Sequence, residues 1–153
     1  MKVIFMGKSG VGKTSLINKI FGLEWKTDPV VECTKTLHGA WIINDKKQFG
    51  ETNEHILVVD TPGISASEEN DIYYKQAYEI AAQDTNCIVW VVQGNTRADL
   101  QDQEMIEEFI MPLMKKKPKI KFVVCINRVD LIGANYEIDW CYELILSISV
   151  YSN

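Results

Sequence analysis

Cysteine is scarce. Cys33, Cys87, Cys125 and Cys141 are the only four, and none forms a CxxC pair. That spacing excludes a disulfide framework and a thiolate metal cluster. Histidine is scarcer still: His38 and His55 stand far apart, with no zinc-ligand pattern. Long apolar runs are absent too. The run Cys87 to Val92 is far short of the ~20 residues a membrane span needs. The opening MKVIFM is too short for a signal-peptide core and ends at Gly7. Reduced thiols in a cytoplasmic protein are therefore expected. Positive charge is outweighed, with 16 Lys+Arg against 21 Asp+Glu and a net charge of −5, which argues against a broad basic face for nucleic acid. With 4 prolines and 9 glycines in 153 residues, there is no low-complexity linker. The 46% apolar and 24% charged content is that of one globular domain.

Strand and helix patterns alternate along the chain, which predicts an α/β domain with a mostly parallel sheet. Strands are expected at Lys2–Met6, His38–Ile43, Ile56–Asp60, Asn86–Val92 and Ile120–Ile126. The unbroken run CIVWVV marks the fourth as central. A helix over Thr14–Phe21 carries Leu16, Ile17, Ile20 and Phe21 on one face and stops at Gly22. Glu69–Ala82 is expected to pack through Tyr73, Ala77, Ile80 and Ala81. Leu100–Met111, capped by Asp99, aligns Ile106, Phe109, Ile110 and Leu113, and Pro112 should end or kink it. A last helix is expected over Glu137–Ile145, and the tail Ser147–Asn153 fits either a sixth strand or a frayed helix end. The connections Glu24–Lys35, Asn44–Glu54 and Thr61–Asn70 lack any period and read as loops.

Three of the turns after strands carry chemistry. Gly7-Lys8-Ser9-Gly10-Val11-Gly12-Lys13-Thr14 fits G-x-x-x-x-G-K-[ST] between a strand and a helix. Its glycines let successive N–H groups point at phosphate oxygens, and the helix N-terminus adds positive partial charge. Lys13 supplies a cation for the β- and γ-phosphates, Thr14 a hydroxyl for Mg²⁺, and Ser15 continues the first turn. The second turn is Asp60-Thr61-Pro62-Gly63. Asp60 can hold Mg²⁺ directly or through water, and Gly63 can bring its N–H to the γ-phosphate. The third is Asn127-Arg128-Val129-Asp130. A carboxylate at Asp130 can accept from both the ring N–H and the exocyclic amine of guanine, a pair adenine does not offer. Such a site can discriminate by ~10⁴–10⁵.

These motifs, in this order, resemble the translation-factor-related class of P-loop GTPases. The start GKSGVGKTSLINKIFG resembles the Era/septin-like branch, which includes ribosome-binding-type and immunity-related GTPases. The resemblance spans roughly residues 2–132. It implies a three-layer P-loop NTPase fold, a small G domain over 1–153, GTP or GDP as ligand and Mg²⁺ as cofactor. It implies catalytic roles for Lys13, Thr34 and Gly63, metal ligation by Thr14, Thr34 and Asp60, and nucleotide contacts from residues 8–15, Asn127, Arg128 and Asp130. Thr34 lies in Glu32-Cys33-Thr34-Lys35-Thr36, similar to switch I, with Thr36 as its competitor. There are three departures. Arg128 replaces the usual Lys. Ile64 stands where small signalling GTPases place a water-orienting Gln. The last guanine-contacting loop is unclear: Val150–Asn153 is a remnant of it, or the chain stops short without the final helix.

The expected activity is Mg²⁺-dependent hydrolysis of GTP to GDP and phosphate by a molecular switch, slow alone and sped by a partner or a facing second copy. The alternatives are a GTP-dependent binding module with negligible hydrolysis, and a ParA/MinD-like ATPase, since the loop from Lys8 approaches their signature-lysine pattern. Lys8 and Ser9 either reach a γ-phosphate, in this chain or a partner, or merely build the loop. Glu68 and Glu69 either steer a water or suit a helix N-terminus. Lys115–Lys119 with Lys121 read as a solvated helix end, giving no clear nucleic-acid or membrane signal. Trp41, Trp90, Trp140, Tyr73, Tyr74 and Tyr78 are expected to be packing residues, and His38 and His55 ordinary strand positions.

Overall fold

The computed structural model describes residues 1–27, 36–43, 55–64, 68–94 and 100–131. Thr34, Asp99, the helix expected over 137–145 and the tail after it lie outside these residues. In chain order the elements are β1 (Lys2–Met6), α1 (Lys13–Phe21), β2 (His38–Ile43), β3 (His55–Asp60), α2 (Glu68–Ala81), β4 (Cys87–Gln93), α3 (Leu100–Met105), a π turn (Ile106–Ile110), α4 (Met111–Lys116), β5 (Lys121–Asn127) and a 3₁₀ turn (Val129–Leu131).

The strands form one sheet in the order β2-β3-β1-β4-β5. Among the described strands only β2 runs antiparallel; the pairs β1–β3, β1–β4 and β4–β5 are parallel. Strand alternation sends side chains to two cores. Ile4, Met6, Val59, Ile88, Trp90 and Val92 pack with Tyr78, Ala81, Met105, Ile106 and Ile110 from the later helices. Val3, Phe5, Ile56, Val58 and Val91 pack with Val11 and Ile17 on the other face. The sheet is thus covered on both sides, which is why β4 reads as an unbroken apolar run. This is the three-layer arrangement of the small G-domain P-loop fold.

The register puts the functional turns on one edge. Phe5 is level with Asp60, Met6 with Trp90, and Gln93 with Asn127. The chain turns to opposite sides of β1 through β3 and β4, so β1 lies at a switch point, where ligands bind beyond the carboxyl ends of strands.

Among the described residues the helix and strand expectations hold apart from packing phase and the end expected at Pro112. α2 buries Tyr74, Ala77, Tyr78 and Ala81, while Tyr73 and Ile80 are 49% and 58% exposed. The buried stripe is therefore shifted by one position, because two amphipathic tyrosines take it. Ile20 sits at the exposed margin of α1. Trp41 is not in the core: it is 66% exposed on β2, an edge strand. Pro112 does not end its helix, which continues to Lys116 with Pro112 in the first turn of α4. The Met111 N–H donates to Ile106 O, and this π turn opens the ladder ahead of a residue that cannot donate. Cys87 and Cys125 are free thiols whose pKa burial pushes up. Among the described residues no helix is long and apolar enough to cross a membrane.

Candidate functional site

The phosphate loop leaves β1 at Gly7 and enters α1 through Gly12, whose φ of 90° lies in the left-handed region. Gly12 has no side chain to cap the helix, and the first turn contains no acidic residue. No side chain caps this end of the helix, and a helix N-terminus carries the positive partial charge that suits an anion. A Cβ at Gly12 would lie 2.5 Å from Asn127 Nδ2, so the base loop closes directly onto this turn. Lys13 is only 6% exposed. Its ammonium donates to Gly7 O at 3.0 Å and Lys8 O at 2.8 Å, which offsets the cost of burying it.

Asp60, at the end of β3, is fully buried and accepts a hydrogen bond from the Thr14 hydroxyl. A hydroxyl and a carboxylate facing each other beside a phosphate loop form an all-oxygen donor set that suits a hard cation such as Mg²⁺. Gly63 approaches the loop so closely that a Cβ there would lie 2.4 Å from Ser9 Cα and 2.5 Å from Ser9 N. Ile64 completes the strap. Its N–H donates to Gly7 O at 3.3 Å, and its carbonyl accepts from Ser9 N–H at 3.0 Å.

Asn127, at the end of β5, donates from Nδ2 to Val11 O at 2.9 Å across 116 residues of sequence. Gly94 N–H donates to Asn127 O at 2.8 Å, which ties β4's end to the same loop. Arg128 adopts a left-handed φ of 55°, and its guanidinium donates to Gln93 Oε1 at 3.4 Å. The Val129–Leu131 turn, closed by Leu131 N–H on Arg128 O at 3.1 Å, carries Asp130.

The structure therefore joins Lys13, Thr14, Asp60 and Gly63 to Asn127 and Arg128 at one edge, with Asp130 on the adjoining turn. Ser9, Gly10 and Ser15 are exposed around the loop and Val11 is buried beneath it. Lys8 is turned toward α3, where its ammonium lies 3.6 Å from Asp102. Glu68 and Glu69 fall in the first turn of α2. Lys115 and Lys116 end α4, where cations suit the helix dipole.

Two further residues reach the site without any local signal. Tyr78, counted from sequence among packing residues, is fully buried with its hydroxyl 3.1 Å from Pro62 O and 3.4 Å from Gly7 O. Burial raises its pKa, so the hydroxyl stays a proton donor. Asp102 carries no sequence signal, since a lone acid on a helix looks like a solvated one.

The family model described as 50S ribosome-binding GTPase matches residues 2–128. The chain belongs to this GTPase family. The Era kinship read from the motifs holds among its relatives. GTPase Era of Aquifex aeolicus is 27% identical over 134 residues, covering 86% of this chain and 41% of Era. Nucleolar GTP-binding protein 1 of Drosophila melanogaster is 29% identical over 137 residues, 85% of this chain and 19% of that protein. The crystal structure of a point variant of A. aeolicus Era bound to GDP·AlF4− superposes with a TM-score of 0.72 at 25% identity, covering 95% of this chain and 46% of that one. Era in complex with MgGDPNP and nucleotides 1506–1542 of 16S ribosomal RNA gives 0.67 at 26% identity, covering 96% and 45%. This chain of the GTPase family thus spans less than half the length of these relatives.

Proposed function

We propose that this chain binds GTP with Mg²⁺ and hydrolyses it to GDP and phosphate as a switch. The observation that carries this reading is the Asn127–Val11 hydrogen bond, which locks the base loop to the phosphate loop. One ligand with a purine at one end and a triphosphate at the other spans that pair of loops. Lys13 and the N-terminus of α1 stabilise negative charge on the transferring phosphoryl. Thr14 and Asp60 are the residues that would hold Mg²⁺, with Thr34 as a further proposed ligand. Mg²⁺, when bound, neutralises charge between the β- and γ-phosphates. Gly63 offers its N–H to the γ-phosphate, and Asp130 reads the guanine edge.

Ile64 is buried and apolar, so it cannot orient water. The chain alone should therefore turn over at roughly 10⁻⁴–10⁻² s⁻¹, the range of unassisted domains. A partner, or a second copy facing the nucleotide, raises that rate. Turnover measured against protein concentration tests the second-copy part, and a flat specific activity rejects it.

The same buried Ile64 favours one second reading, a GTP-dependent binding module with negligible hydrolysis. Single-turnover phosphate release separates the two: none over days supports the module. Calorimetry with GTP and ATP side by side tests the base assignment. Tighter ATP binding overturns it in favour of a ParA/MinD-like ATPase. Asp130→Asn should weaken GTP about 100-fold or more, within the penalty for unpaired buried groups, and improve xanthosine triphosphate. Unchanged GTP affinity removes Asp130 as the reader.

A further inference from the structure

Lys8, the second residue of the phosphate loop, is fixed from two directions. Its backbone is bridged to Ile64 through the hydrogen bonds on either side of it. Its side chain points elsewhere: Nζ lies 3.6 Å from Asp102 Oδ2 on α3. Asp102 is 4% exposed, and its Oδ1 accepts the Trp90 Nε1–H at 3.2 Å. Trp90 is fully buried on β4, level with Met6, the residue that leads into the loop. A carboxylate inside the helical layer is thus met by an indole from the sheet and an ammonium from the phosphate loop.

A buried ion pair is weak support for stability, since apolar residues of the same volume often serve as well. What it supplies is position, because the buried Asp102 carboxylate and the partly exposed Lys8 ammonium each hold the other in place. Burial pushes the Asp102 carboxyl up, while Lys8 and the indole hold it down. The charged form therefore depends on both neighbours. Asp102 also lies just ahead of the π turn, the kind of helix irregularity that recurs at functional sites. That turn makes a second link to the loop. Phe109 packs on the Tyr78 ring at 6.0 Å, and the Tyr78 hydroxyl lies against Gly7 O and Pro62 O.

We propose that Asp102 is a positioning residue of the nucleotide site: with Trp90 it grips Lys8, so the phosphate loop and the α3–π segment move as one unit. The proposal rests on the GTP reading for its ligand but not for its geometry. Four proteins decide it: the parent, Lys8→Met, Asp102→Asn and the double variant, each titrated with GTP and Mg²⁺. Lys8→Arg serves as the conservative rescue. The ¹H–¹⁵N indole resonance of Trp90, assigned with Trp90→Phe, reports the pair with or without nucleotide. Each single variant should weaken GTP about tenfold, a typical coupling for residues in one network, and the double variant about as much as either alone. Lys8→Arg should return to within about threefold of the parent. The Trp90 resonance should shift in Lys8→Met and again when GTP binds the parent. If Asp102→Asn does not fold, the comparison of Lys8→Met with Lys8→Arg and the resonance decide. Single effects under about twofold, effects that multiply in the double variant, or an unmoved resonance in Lys8→Met overturn the proposal. A parent that binds no GTP overturns the ligand reading, while the resonance in Lys8→Met still judges the Lys8–Asp102–Trp90 unit.

Discussion

Gly63→Ala puts the strap between β3's end and the phosphate loop under direct test. The new Cβ would lie 2.4 Å from Ser9 Cα, 2.5 Å from Ser9 N and 2.9 Å from Lys8 C. All three neighbours are backbone atoms, so no side-chain rotation can relieve the clash. The chain must part, and parting pulls at two hydrogen bonds, Ser9 N–H to Ile64 O at 3.0 Å and Ile64 N–H to Gly7 O at 3.3 Å. Each bond is worth about 1 kcal/mol net. Overpacking costs about 1–3 kcal/mol. The combined loss is about 3–5 kcal/mol, which at ~2–4 °C per kcal/mol for a chain of this size lowers Tm by roughly 6–20 °C. Thermal unfolding followed by circular dichroism measures it, and GTP affinity should fall in parallel because Ser9 moves with the strap. Gly10→Ala is the control. Its φ is +79° but a Cβ there meets nothing within 4 Å, so only the left-handed backbone penalty of about 1–2 kcal/mol applies. A Gly63→Ala protein melting within about 1 °C of the parent refutes the close approach, since a backbone clash cannot be that cheap.

Tyr78→Phe removes a buried hydroxyl that lies between Pro62 O and Gly7 O; the expected loss is about 1–1.5 kcal/mol, read as a Tm drop of roughly 2–6 °C. Trp41→Ser should change stability by less than about 0.5 kcal/mol, because the ring is largely exposed on an edge strand; a larger loss in chemical unfolding would place the ring in a core. The folded-state pKa of Asp102 is raised above its ordinary value of 3.8, first by burial, with Lys8 and the Trp90 indole opposing. A raised acid contributes stability below pH 3.8 that is lost as pH rises through the folded pKa. The Tm of the parent minus that of Asp102→Asn should therefore be more positive just above pH 4 than at pH 7, with unfolding scans across about pH 4–7 as the measurement. A pH-independent difference would show that Asp102 titrates normally.

Local pattern carried the sheet and the motifs. The apolar run of β4, the period of α1 and the G-x-x-x-x-G-K-[ST] turn each encode their structure within about a dozen residues. Edge position is not encoded that way. Trp41 looks like a core residue until the strand order leaves β2 with one neighbour. The phase of α2 fails for a different reason. Tyr73 and Tyr74 are adjacent and chemically identical, and which of them is buried is decided by tertiary packing rather than by the helix itself. Pro112 reads as an end or a kink, and of the two the end does not occur, because the π turn just before it, which has no residue signature, accommodates the missing donor.

The least legible features are the polar bonds that hold the candidate site together. Asn127 is conspicuous by motif, yet its bond to Val11 is a fact of tertiary closure. Asp102 has no motif at all. In an isolated α3 it would be one of two acids, with Glu104, suited to an exposed helix face. Only when the helix layer covers the sheet does it meet Trp90 and Lys8, and only then does its burial become costly enough to demand both. Residues whose chemistry is created by the fold, rather than displayed by the sequence, are therefore the ones a motif scan passes over. In this domain they lie immediately behind the phosphate loop, where Lys8 faces Asp102 of α3 and Gly7 O faces the Tyr78 hydroxyl of α2.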